Sequence, residues 1–120
     1  MDETRFATLA DATLMHLFEA IDGAAGDELE VDLGEGILTI ELEDGGQYVV
    51  NKHAPNRQIW VSSPVSGAHH FGYDETAASW VDTRAASSEE AVVLEVILGR
   101  ELSAAQGREL DLAAPVPGTR

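Results

Sequence analysis

The sequence predicts a single α+β domain: a two-layer α/β sandwich in which an antiparallel sheet of five to seven strands carries an N-terminal and a C-terminal helix on one face. Three observations lead there. The 120-residue length suits one core. Apolar residues recur at helical spacing near both ends of the chain, and between them runs a stretch of two-residue alternation punctuated by glycine turns. No heptad run or internal repeat competes with this reading. Residues 1–112 are assigned to the domain, and 113–120, with Pro115, Pro117 and Gly118, to a mobile tail with little to bury.

Taken in order, Phe6, Leu9, Ala10, Thr13, Leu14, Leu17 and Ile21 make one apolar helix face. At 100° per residue, Asp11 and Asp22 fall within about 20° of each other on roughly the opposite side, with Glu19 nearby. Gly23 and Gly26 are expected to break the helix. Residues 28–33 then alternate, so that Leu29, Val31 and Leu33 face inward while Glu28, Glu30 and Asp32 project together beside Asp27. Gly34-Glu35-Gly36 turns into a second strand over 37–43, and Asp44-Gly45-Gly46 into a third over 47–52. Ala54-Pro55-Asn56 leads to a fourth strand, 57–63, with Gln58, Trp60 and Ser62 on one side and Ile59 and Val61 on the other. A short strand over 68–71 and a last one over 79–83, around Trp80 and Val81, complete the sheet. Ser87-Ser88-Glu89-Glu90 has capping-box spacing and opens the second helix, whose core face is Ala91, Leu94, Leu98 and Leu102, widened by Ile97. Gly107 ends it, and Leu110 and Leu112 pack back on the core. The far face of the sheet is left open to solvent.

Composition removes several functions. Without cysteine there is no thiol nucleophile, disulfide, persulfide or thiolate-ligated cluster. No window approaches the roughly 18 apolar residues of a membrane span, and Met1 is followed by Asp2 and Glu3, so a cytoplasmic protein is expected. With 22 acidic against 7 basic residues and a formal charge of -15, the chain repels nucleic acid and anionic lipid. The charge is unevenly placed. Residues 1–45 hold 13 acids and only Arg5, whereas 46–73 hold none and contain Lys52, Arg57, His53, His69 and His70.

The strongest chemical signal is the acidic set Asp11, Glu19, Asp22, Asp27, Glu28, Glu30 and Asp32. Carboxylates offer hard oxygen ligands for Ca²⁺, Mg²⁺, Mn²⁺ or iron, but acids in a row on a strand favour open, weak binding of several ions over one tight cage. A solvated acidic face is the bland alternative. Against it, uncompensated like charges on consecutive elements cost about 1 kcal/mol each and suit a positive partner. His69 and His70 point to opposite faces and do not share an ion, and His16 and His53 are isolated in sequence. Ser62, Ser63 and Ser66 lack nucleophile-elbow spacing, and no phosphate-binding glycine loop occurs. Trp60, on the polar side of its strand near Asn51 and Gln58, reads either as core or as a protein-binding anchor.

Several stretches resemble the frataxin family: Leu-Ala-Asp-Ala-Thr-Leu at 9–14, the hairpin Gly36-Ile37-Leu38-Thr39-Ile40, Tyr48-Val49-Val50-Asn51-Lys52, Ala54-Pro55-Asn56-Arg57-Gln58-Ile59-Trp60-Val61-Ser62-Ser63-Pro64, and Ser66-Gly67. The resemblance covers nearly the whole chain. It implies the same sandwich and a noncatalytic role in iron-sulfur cluster assembly, modulating a complex of cysteine desulfurase and scaffold protein, with weakly bound iron and no cluster or organic cofactor. Ferrochelatase is a further implied partner, and a monomer that oligomerises with iron is the implied state. By position the resemblance puts the metal on Asp11, Glu19, Asp22, Asp27, Glu28, Glu30 and Asp32, and partner contacts on Asn51, Gln58, Trp60, His70 and Trp80. Two departures stand out: Gly23, Ala24 and Ala25 replace acids common at that helix end, and His70 stands where many eukaryotic members have arginine. A bacterial cytoplasmic member related to the mitochondrial line fits, the alternative being a mature mitochondrial matrix form. The rival function is an iron oxidase or iron-detoxifying store using the same carboxylates, for which paired Glu-x-x-His helices are lacking.

Overall fold

A computed structural model describes residues 1–84, 93–107, 109, 110 and 112. Its elements run α1 (Glu3–Ala25), β1 (Glu30–Gly34), β2 (Ile37–Glu41), β3 (Gln47–His53), β4 (Gln58–Ser63), β5 (Gly67–Asp74), β6 (Ser79–Asp82) and α2 (Leu94–Gln106). The six strands form one antiparallel meander in chain order, β1-β2-β3-β4-β5-β6. That is the α+β sandwich expected. The second helix opens at Leu94 and not at the capping box expected at 87–90, because Val93 is extended and bridged to Val81 before the helix begins; residues 87–90, Ala91 and the tail 113–120 lie outside the described residues.

Asp2 caps α1, its carboxylate accepting from the Arg5 amide at 2.7 Å. Of the two glycines expected to break the helix, Gly26 caps it while Gly23 lies within its last turn. Ala24 and Ala25 are strong helix formers, and burial of Ala25 pins one more turn before Gly26. One face, Phe6, Ala10, Leu14, Leu17, Ile21 and Ala25, is buried. At the first hairpin, Glu35 and Gly36 take φ of 53° and 77°, the positive pair that a two-residue turn of matching twist requires. A side chain at Gly36 would also meet Lys52 Cε at 3.1 Å. The fourth strand starts at Gln58, one residue later than expected, because Arg57 turns the chain with φ of 50°.

Parity and register divide the sheet cleanly. Leu38 and Ile40, Tyr48 and Val50, Ile59 and Val61, His69 and Phe71, and Trp80 and Asp82 are buried on one face. Both helices lie there. Lys52 Nζ reaches Asp11 of α1 at 2.8 Å and Trp80 Nε1 donates to Thr13 of α1 at 2.9 Å. From the same face, Tyr48 and Ser63 hydroxyls donate to Glu101 of α2, each at 2.7 Å. Leu94, Leu98 and Leu102 of α2 complete the core, with Leu110 and Leu112 packed back as expected.

Candidate functional site

The open face of the sheet carries Glu30 and Asp32 on β1, Glu41 on β2, Asn51 and His53 on β3, Gln58 and Trp60 on β4, and His70 on β5. Register fixes their layout. Asn51, Trp60 and His70 are direct neighbours across three strands, with Ile37 beyond Asn51 at 40% exposure. Asp32 lies across from Thr39 and Val49, one row along, and Glu30 lies directly across from Glu41. Like charges facing each other in this way repel, and among the described residues neither has an ion-pair partner.

The aromatic centre is built from three rings. The imidazole of His53 stacks on the Trp60 indole with centroids 3.6 Å apart and planes 8° from parallel, and His70 covers it from the next strand at 4.2 Å and 14°. Trp60 Nε1 donates to Gln58 Oε1 at 2.8 Å. Thus Asn51, Gln58, Trp60 and His70 come together as the sequence suggested, and His53, which looked isolated, belongs with them. Its parity with Asn51 was the signal available in the sequence.

Trp80 does not belong there. It is 2% exposed on the helix-covered face, edge-on to Phe6 and Tyr73 at 6.0 and 5.1 Å. Strand β6 is offset so that Trp80 pairs with Tyr73, which turns the indole to the core while Val81 takes the open face. The acidic set is also split. Asp11 is ion-paired to Lys52, and Glu28 lies in the turn after α1, where it accepts from Gln106 Nε2 at 2.9 Å instead of projecting with Glu30 and Asp32. Glu19, Asp22 and Asp27 are exposed on or after α1. Among the described residues no three histidine or acidic side chains converge on one point that would hold an ion.

Sequence spacing also missed a polar network that runs from the buried His69 and Asp82 to the exposed Ser66. Ser66 Oγ lies 2.8 Å from His69 Nε2, and His69 Nδ1 lies 3.1 Å from Asp82 Oδ2. This looks like a catalytic triad, but Ser66 Oγ also donates to Glu101 Oε2 at 2.6 Å, so its proton is engaged by a carboxylate of α2. Burial pushes the Glu101 carboxyl up, and the hydroxyls of Ser66, Ser63 and Tyr48 outweigh that and hold it below the usual range. Burial likewise opposes ionisation of Asp82, yet the Arg84 amide, His69 and the Arg84 guanidinium keep it low. The network ties β3, β4, β5 and β6 to α2 and fixes the sheet that presents the open face.

A family profile described as a Frataxin-like domain matches residues 1–108. The chain is 38% identical over 117 residues to mitochondrial frataxin of Arabidopsis thaliana, an alignment covering 94% of this chain and 60% of that protein. It is 35% identical over 113 residues to the iron-sulfur cluster assembly protein CyaY of Thioalkalivibrio sulfidiphilus, covering 93% of this chain and 100% of that protein. The chain therefore spans 60% of the length of the plant relative and all of the bacterial one. Among solved structures, frataxin from Psychromonas ingrahamii matches with a TM-score of 0.78 at 22% identity, over 95% of this chain and 100% of that one, a likeness of fold. Trimeric yeast frataxin complexed with ferrous iron matches with a TM-score of 0.67 at 35% identity, over 83% of this chain and 87% of that one.

Proposed function

The chain belongs to the frataxin-like family, and from that premise we propose that it serves iron-sulfur cluster assembly as a noncatalytic, iron-binding adaptor. It docks on a complex of cysteine desulfurase and scaffold protein and modulates sulfur transfer. The observation that carries this reading is the continuity of one open sheet face, on which an acidic edge with no ion-pair partner among the described residues (Glu30, Asp32, Glu41) lies beside an aromatic and amide centre (Trp60, Asn51, Gln58). Such an edge suits a basic patch, and such a centre suits the packed middle of an interface.

Iron is cargo in this reading. Glu19, Asp22, Asp27, Glu30 and Asp32 offer exposed carboxylate oxygens, a hard donor set that fits Fe²⁺ or Fe³⁺ loosely and from several directions. Asp11 already shares its charge with Lys52 through Oδ1 and so offers a weaker ligand. Weak binding follows from the spread of these groups. A carboxylate edge shared by iron and a basic protein makes the two compete, which gives iron a route to modulate docking.

Charge reversal tests the edge. The double variant Glu30→Lys, Asp32→Lys is expected to weaken binding to the desulfurase-scaffold complex about tenfold at low salt and to flatten its salt dependence. Equal affinity in a low-salt titration overturns the docking reading. Trp60→Ala is expected to cost about 2 kcal/mol of the same affinity. For iron, Fe²⁺ at 100 times its dissociation constant raises stability by about 2.7 kcal/mol, and no rise in melting temperature argues against any iron role. Desulfurase turnover with and without Fe²⁺ then gives the sign of the modulation.

A further inference from the structure

We propose that His53 is a positioning residue for partner docking: with His70 it clamps the Trp60 indole between two imidazole faces, so that a partner meets the indole by its edge. The inference rests on the docking reading above and adds how the anchor is held. Both faces of the indole are covered by rings from the flanking strands β3 and β5, at 3.6 and 4.2 Å and close to parallel. No face is left on which a partner side chain can stack. The bond from Trp60 Nε1 to Gln58 fixes the indole in its own plane as well.

The state of His53 says what its ring is for. Its Nδ1 is buried and has no hydrogen-bond partner. A buried ring nitrogen without a partner is unfavourable, so Nδ1 does not hold the ring here, whereas its flat surface lies against the Trp60 indole at 3.6 Å. Any flat aromatic ring at position 53 should serve, whereas an aliphatic stub should not. With one side of the clamp gone, the indole gains rotamers, and docking must then order it again, which lowers affinity.

The test compares His53→Ala, His53→Phe and Trp60→Ala in the full chain. Affinity for the cysteine desulfurase-scaffold complex is read alongside the indole N–H resonances of the two tryptophans. His53→Ala is expected to weaken binding about fivefold and to shift and broaden the Trp60 indole signal while that of Trp80 stays in place. His53→Phe is expected to restore both affinity and signal. If His53→Ala binds normally while Trp60→Ala does not, the clamp is overturned and the docking reading stands. If neither variant loses affinity, both fall. If His53→Ala weakens binding and His53→Phe fails to rescue it, the imidazole itself contacts the partner and the positioning role is overturned.

Discussion

Trp80→Ala is expected to lower the stability of the folded protein by about 4 kcal/mol, the scale of emptying a buried tryptophan site. The side chain is 2% exposed, is packed edge-on against Phe6 and Tyr73, and ties β6 to α1 through Thr13. Its removal leaves a large void and takes from the half-buried Thr13 hydroxyl the indole N–H it accepts. Urea unfolding of Trp80→Ala and Trp60→Ala side by side checks the assignment. The first should lose much of its unfolding free energy, since a domain of this size has only about 5–15 kcal/mol in total. The second should stay near the parent in stability and lose partner affinity instead. If the two variants are destabilised alike, the division between core and surface tryptophans is wrong.

Glu101→Ala carries the next largest effect, about 3 kcal/mol, because it strips three hydroxyl donors of their acceptor at once. Tyr48 is fully buried and Ser63 is 8% exposed, so their hydroxyls have little water to turn to. Acidity should have a similar but graded effect. The Glu101 and Asp82 carboxyls are both held below their ordinary values in the fold, so the stability they contribute is present above the unfolded values and is lost as pH falls through the folded ones. Glu95 works the other way. Burial raises it, so its contribution is present below the ordinary glutamate value and is lost as pH rises through the raised one. Glu101→Gln should therefore flatten the acid limb of a stability-pH curve measured by urea unfolding. An acid limb unchanged by that substitution would remove Glu101 from the network.

The architecture was legible because it rests on short-range periodicity. Alternation in 28–63 and helical spacing in 6–21 and 94–102 fixed the elements, and parity in 58–62 put Trp60 on the open face, where register then joined it to Asn51 and His70. What escaped was set by contacts between distant segments. The resemblance alone put Trp80 among the partner contacts; its four-residue strand gives too few alternations for parity to correct that, and only its pairing with Tyr73 decides the matter. Asp11 and Glu28 carried the right charge for an ion site, but Lys52 and Gln106 engage them from elements 41 and 78 residues away. His53 offered no neighbour in sequence to suggest a stack, since stacking depends on side chains leaning across adjacent strands. Ser66, His69 and Asp82 meet only because the β4-β5 and β5-β6 hairpins share β5 and lie side by side, with α2 closing on them.

The meander has a kinetic consequence. Every strand pairs with the one next to it in the chain, so the sheet can zip up through short loop closures, the least demanding route for a β structure. The helices obey a different schedule. Helix α1 leaves the ribosome before the strands it packs on, yet its link to Trp80 bridges 67 residues and the brace from Tyr48 to Glu101 bridges 53. A nascent chain that stalls before β6 thus has five of its six strands, but it lacks Trp80 against Phe6 and Thr13 and lacks α2 over Tyr48 and Ser63, and it is at this stage of synthesis that a chaperone has something to hold.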